Sequence, residues 1–359
     1  MHKVLHTLVF GWLSLVSCQA QETSIKSNDT HIHYMGRVDV QAEKAVLSWS
    51  GTSVKIDFNG SGAKAIMQDE YGGNFYNVLV DGKIAQKIQL KKNKQEYVLA
   101  TNLPAGKHSL ELFRLTEWAM GKTWFYGLNL EGNAQILPAP PTKKRKIEFF
   151  GNSITCGYAV LDTTGQDRSA APYEDNYKSY AAITARHFDA EYYCTARSGI
   201  GVMVSWFPLT MPEMYDRLDA NNPQSKWDFS KYTPDVVVIN LFQNDAALVN
   251  HPEHPEFKAR FGTIKPEPAV IIKAYETFVK NIRLKYPKAQ IICALGSMDA
   301  SRPDLPWSGY IKQAVSNLKD KNIYALIFPV KSTPGHPSAK EQQDMANQLI
   351  SFINKTVKW

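Results

Sequence analysis

Apolar and polar residues alternate in short runs over the first part of the chain, at 45–49, 54–58, 63–67, 76–80, 96–100 and 109–115. A period of two gives a pleated strand one apolar face, so each run predicts a half-buried strand. Turn residues separate the runs: Gly51, Asn59-Gly60, Gly72-Gly73, Asp81-Gly82 and Pro104-Ala105-Gly106. Asp81-Gly82, between Val78-Leu79-Val80 and Ile84, predicts a tight hairpin. No helical period interrupts the series. The expectation is an all-β sandwich or jelly-roll domain over residues 28–136.

The pattern changes after Leu137-Pro138-Ala139-Pro140-Pro141, where proline disfavours both helix and ladder, so 137–144 reads as a linker. From 145 to 359, apolar runs at 147–150, 192–196, 236–241, 291–295 and 323–328 alternate with helical patterns at 176–188, 269–286, 309–319 and 338–355. In the last helix Met345, Leu349 and Phe352 recur on one face. This alternation predicts an α/β unit: a parallel sheet with helices on both faces, whose sites lie at the carboxyl ends of strands.

Residues 1–20 do not belong to that plan. Lys3 precedes a short apolar run from Leu5 to Val16, the build of an export signal and too short to span a bilayer stably. Leu15-Val16-Ser17-Cys18 resembles a bacterial lipobox, making Cys18 a lipidation candidate; cleavage after Ala20 also fits. The expected location is outside the cytoplasm: periplasmic, outer-membrane-anchored or extracellular, with membrane contact only through an N-terminal lipid. Hydrophobic content of 44% with 21% charged residues is that of a soluble globular protein. The net charge of +7 is densest at Lys143-Lys144-Arg145-Lys146, but no aromatic platform accompanies that run. It reads as a solvated linker, and no nucleic-acid partner is expected. The remaining cysteines, Cys156, Cys194 and Cys293, are odd in number and irregularly spaced, so they read as small buried hydrophobes.

Four segments place chemistry at strand ends. Gly151-Asn152-Ser153-Ile154-Thr155 follows the first strand of the α/β unit, with glycine for the turn and serine presented beyond it. Ser198-Gly199-Ile200-Gly201 follows the second, and its glycines admit close backbone approach. Asn244-Asp245 follows the third, and His336 stands in Gly335-His336-Pro337-Ser338 ahead of the last helix. A lone serine after a strand is usually a helix cap. One sheet edge bearing Ser153, Gly199, Asn244 and His336 is instead a nucleophile, a base and convergent neutral donors, which are the parts acyl transfer needs.

In this order the four segments resemble the conserved blocks of the SGNH (GDSL-type) hydrolase superfamily. The β-domain with Gly36-Arg37 and Ser48-Trp49-Ser50-Gly51, together with Gly151-Asn152-Ser153-Ile154-Thr155-Cys156-Gly157-Tyr158, resembles carbohydrate esterase family 2 over nearly the whole mature chain. The resemblance implies a flavodoxin-like sheet behind a jelly roll and removal of acetyl groups from plant polysaccharides such as xylan or glucomannan, often at a primary 6-hydroxyl. It assigns Ser153 as nucleophile, His336 as base, and Ser153, Gly199 and Asn244 as the oxyanion hole. It implies no metal or organic cofactor. The substrate partner is an acetylated carbohydrate, for which Tyr158, Phe242 and Trp307 are contact candidates.

Two departures alter the expected site. Phe242 stands where the superfamily has a glycine, which narrows the pocket near the oxyanion. Thr333 stands where the superfamily has the aspartate three residues before the histidine. Some members of the family use a Ser–His dyad held by backbone carbonyls, and that is the expectation here, with Asp299 or Asp304 as the lesser alternative. Asp245 reads as a partner for backbone donors near the serine turn. His31 and His33 read as surface histidines, and the His251-Pro252-Glu253-His254-Pro255-Glu256 segment as a rigid extended wall beside the active site, neither of them metal-binding. The rival functions are a lipase or lysophospholipase on the same fold, for which no long apolar lid is present, and a carbohydrate-binding protein without catalysis.

Overall fold

The computed structural model describes residues 22–359, so the signal segment and Cys18 lie outside the described residues. The first half builds two antiparallel six-stranded sheets. Successive strands from Ala45–Leu47 to Gln135–Ile136 mostly cross from one sheet to the other, the jelly-roll habit. The inner faces share one core, with Leu47, Met67, Phe125 and Leu128 from one sheet against Ile56, Phe58, Tyr76 and Leu112 from the other. Asp81 and Gly82 both take positive φ (50° and 74°), and Val80 pairs with Lys83 across the turn, giving the expected tight hairpin.

Six strands escape the sequence pattern, four of them too short to show alternation (Thr23–Lys26, His33–Met35, Val38–Val40 and Gln135–Ile136). Lys83–Gln89 is a largely exposed edge strand, so it lacks an apolar face to announce it. Thr123–Glu131 is the central strand of its sheet, but a register shift between Phe125 and Gly127 breaks its alternation.

The second half is a five-stranded parallel sheet. Its spatial order is Ala190–Ala196, Arg145–Gly151, Val236–Asn240, Gln290–Leu295 and Ile323–Ile327, the flavodoxin-like 2-1-3-4-5 arrangement. Strand residues alternate between two cores. Ile147, Phe149, Val236 and Val238 pack with the helices Tyr180–His187 and Ala339–Thr356. Phe150, Val237 and Ile239 pack with Pro268–Lys285 and Trp307–Leu318. The expected helix at 176–188 begins later, because Asn176–Lys178 is a single 3-10 turn and the Ser179 hydroxyl caps the helix at Ala182 N–H. Ser338 and Glu341 form a capping box that starts the last helix. Cys156, Cys194 and Cys293 are free and buried.

The two halves are joined by buried polar contacts. Arg37, 2% exposed, donates to Glu148 Oε1 at 2.8 Å and to the carbonyls of Tyr215 and Arg217. Glu148 lies inside the first strand of the parallel sheet and is fully buried. The Trp49 indole donates to the Leu218 carbonyl at 2.6 Å. These bonds give the Gly36-Arg37 and Ser48-Trp49 segments a physical role: they lock the sandwich against the sheet that carries the site.

Candidate active site

Gly151 pairs with both Ala196 and Asn240, so three adjacent strands end in one row. Strand order reverses between the first and third of them, and open sheets form their crevices at such a point. The Asn152 side chain caps the turn by accepting from Ile154 N–H at 3.1 Å, which starts the short helix Ser153–Cys156. Ser153 is the first residue of that helix, 7% exposed. Its hydroxyl lies 2.7 Å from His336 Nε2.

The expected dyad is corrected by what lies behind the histidine. Asp167 Oδ2 accepts from His336 Nδ1 at 2.9 Å, and its Oδ1 accepts from the His336 backbone N–H at 2.5 Å. The ring is therefore held by a carboxylate, not a backbone carbonyl. Burial raises the Asp167 carboxyl, but the side-chain and backbone hydrogen bonds from His336 outweigh it and hold the group below the usual range. Asp304 instead pairs with Arg302, Asp299 lines the cleft, and Thr333 donates to Glu341.

Asp167 owes its place to two tertiary devices. Asp162 accepts from the N–H and hydroxyl of Thr164 and from the backbone and guanidinium of Arg168, folding the loop into a cage. Gly335 sits at φ 70°, and a Cβ there would meet Asp167 Oδ1 at 2.4 Å. Only glycine lets the histidine loop approach this closely.

The oxyanion side is assembled from separate loops. Among the described residues, neither the Ser153 N–H nor the Gly199 N–H donates to a protein acceptor, as expected of a helix-start donor and a loop donor kept for a ligand. Asn244 Nδ2 donates to the Ile200 carbonyl at 2.7 Å while its Oδ1 accepts from the Trp206 indole at 3.0 Å. The two bonds fix which way the amide points and leave Nδ2 one free hydrogen.

Asp245 does bind backbone donors, but those of the loop after Gly199 and not of the serine turn. It accepts from Val202, Met203 and Val204 N–H. Fully buried, it is pushed up to about 6 by desolvation. A carboxyl raised on folding contributes stability that is full below its unfolded value and lost as pH rises through about 6. Asp245→Asn should therefore flatten the native protein's change in melting temperature between about pH 4 and about pH 7, as thermal melts across that range would read.

The three contact candidates fare differently. Phe242 is fully buried, at φ 83°, against Tyr275 and Trp307. It keeps the left-handed backbone a glycine would take, and packs into the core instead of narrowing the cleft. Trp307 is 4% exposed in the same cluster and so presents no face to substrate. Tyr158 packs on the His336 ring, centroids 4.6 Å apart, and its hydroxyl bonds the Asp167 carbonyl, so it supports the base and does not line the cleft. The residue that was missed is Trp206. It is 46% exposed and, with Ser153, Asn244, Asp299, Arg302 and His336, lines a cleft of about 570 Å³.

The histidines read as surface residues or as a wall beside the site have protein partners; His251 does line the cleft, but the segment expected to be extended turns helical at Pro255–Phe261. His31 meets Asp29, His33 meets Glu191, His251 meets the Ala247 carbonyl, and His254 caps the helix Pro255–Phe261.

Residues 34–140 match the carbohydrate esterase 2 N-terminal family, and residues 149–357 match the GDSL-like lipase/acylhydrolase family. The chain is 32% identical over 341 residues to the cellulase/esterase CelE of Acetivibrio thermocellus; the match covers 91% of this chain but 40% of that protein. It is 25% identical over 352 residues to an acetylxylan esterase/glucomannan deacetylase of Cellvibrio japonicus, covering 96% of this chain and 94% of that one. A family two carbohydrate esterase from Clostridium thermocellum, solved in complex with cellohexaose, superposes with a TM-score of 0.80 at 32% identity, over 90% of this chain and 98% of that one.

Proposed function

The chain belongs to carbohydrate esterase family 2, within the SGNH hydrolase superfamily, and from that premise we propose that it removes acetyl groups from plant polysaccharides or their oligosaccharides through an acetyl-Ser153 intermediate. It is a carboxylic ester hydrolase. The observation that carries the mechanism is the line Ser153 Oγ, His336 Nε2, His336 Nδ1, Asp167 Oδ2, with contacts of 2.7 and 2.9 Å.

Asp167 holds the ring proton on Nδ1, which leaves Nε2 free to take the Ser153 proton as the oxygen attacks the acetyl carbonyl. The charge that develops on the carbonyl oxygen is met by the Ser153 and Gly199 N–H groups and the Asn244 amide. His336 then returns the proton to the departing sugar hydroxyl, and a water activated by the same nitrogen releases acetate. Losing one oxyanion donor costs ~10²–10³ in turnover, so Asn244→Ala should fall by about that factor in kcat while remaining measurable.

Trp206 supports a sugar substrate. Its exposed indole offers a flat apolar face beside the nucleophile, and its N–H is already committed to Asn244. Xylan and glucomannan are the finer expectation, supported by the activities named for the Cellvibrio japonicus relatives; the 6-O-acetyl position is what the family resemblance implies. The test is acetate release from acetylated xylan, glucomannan and monosaccharide acetates beside release of longer acyl chains. A preference for long chains would overturn the substrate reading in favour of a lipase.

Export, with either a lipid on Cys18 or cleavage after Ala20, completes the proposal. Its support is the charged, apolar and small-residue order of 1–20. The mass of the mature N-terminal peptide distinguishes the two routes, and an intact N-terminus would overturn both.

A further inference from the structure

The sandwich reaches the catalytic edge through the segment after its strand Lys107–Arg114. Glu117 there is 1% exposed, and its Oε2 accepts from the Ser198 backbone N–H at 2.8 Å and from the Cys156 thiol at 3.6 Å. Its own N–H donates to Glu174 Oε2 at 3.0 Å. The turn that presents Glu117 is held by fully buried Arg114, which donates to the carbonyls of Leu47, Thr116, Glu117 and Gly121. Next to it, the Trp118 ring lies 3.5 Å from the Arg197 guanidinium.

We propose that Glu117 is a positioning residue of the esterase, holding the Ser198 peptide so that the adjacent Gly199 N–H stays in the oxyanion hole. The inference rests on the reading of Gly199 as an oxyanion donor. Only the two soft dihedrals of Ser198 separate the anchored N–H from the Gly199 N–H. Gly199, at φ 81°, has no side chain to hold its own conformation. Its carbonyl is fixed on the far side by Trp206 N–H at 3.1 Å, and Glu117 supplies the hold on the near side.

A charged acceptor makes a stronger bond to an N–H than a neutral one does. Two adjacent buried carboxyls cannot both ionise cheaply. Burial first, and the neighbouring Glu117 carboxylate second, push the Glu174 carboxyl well up. Arg114 and Arg197 lie beside the pair and offset its negative charge.

The test compares kcat, KM and the pH profile on a chromogenic acetate for the native chain, Glu117→Ala and Glu117→Gln, with rates counted per phosphonate-titrated active site. Glu117→Ala is expected to lower kcat by ~10–10²-fold, below the full loss of a donor, with KM within about twofold of native. The acid limb of its profile should not move. Glu117→Gln keeps an oxygen acceptor for Ser198 and should recover most of the loss. If the Ala variant does not fold, Glu117→Asp keeps the charge, withdraws it by one methylene, and carries the same expectation. Native kcat in Glu117→Ala or Glu117→Asp, or no recovery by Glu117→Gln, overturns the proposal. A native chain that releases no acetate overturns the esterase reading, and this inference with it.

Discussion

Ser153→Ala should cut turnover of an acetyl ester by ~10⁶, the scale set by removing the nucleophile from other serine hydrolases. The fold should survive. Ser153 stands at a helix start at the cleft wall, and its hydroxyl's partner is His336 Nε2, which water from the cleft can satisfy. The variant should also fail to form a covalent acetyl adduct in a rapid-quench mass measurement, whereas the native chain forms one on Ser153. Retention of ordinary esterase activity would remove Ser153 from the mechanism.

Asp167→Asn should cost about 10⁴ in kcat, as the same exchange does in Ser-His-Asp enzymes. The geometry gives the reason. Asp167 Oδ1 is committed to the His336 backbone N–H, so the asparagine oxygen takes that place and its NH₂ group faces Nδ1. An N–H aimed at Nδ1 drives the ring proton to Nε2, the tautomer that cannot accept from serine. Asp167→Ala merely opens the position to water and should fall less. Histidine held by backbone alone, the arrangement expected from Thr333, would leave both variants near native activity. Steady-state kinetics of the two decide between these outcomes.

The parts of the site that could be read in the sequence are those fixed locally. A strand run followed by Gly151-Asn152-Ser153, and Gly335-His336-Pro337-Ser338 with Glu341 three residues after Ser338, each carry their own turn or cap. Strand-end topology then brings them together. Asp167 could not be read. It lies 169 positions from His336, in an aperiodic loop, and is placed by the Asp162 cage and by the missing Cβ of Gly335, both products of the tertiary fold. The aromatic residues failed for a related reason. Phe242 and Trp307 lie next to cleft-forming segments in sequence, but the helix Pro268–Lys285 packs over them and makes them core. Trp206 follows the glycine block without any periodic signal, and only its 46% exposure beside Asn244 marks it out.

The Arg37–Glu148 ion pair bears on how the protein can be taken apart. The proline-rich segment at 137–141 invites a cut between sandwich and hydrolase, as if they were interchangeable modules. Such a cut leaves Glu148 in the middle of a sheet with its charge partner gone, and a buried ion deprived of its partner costs about 3–5 kcal/mol. That is a large share of what holds an ordinary domain folded. The two halves are therefore obligate companions, and grafting this catalytic unit onto another carbohydrate-binding scaffold requires either carrying Arg37 along or neutralising position 148 first.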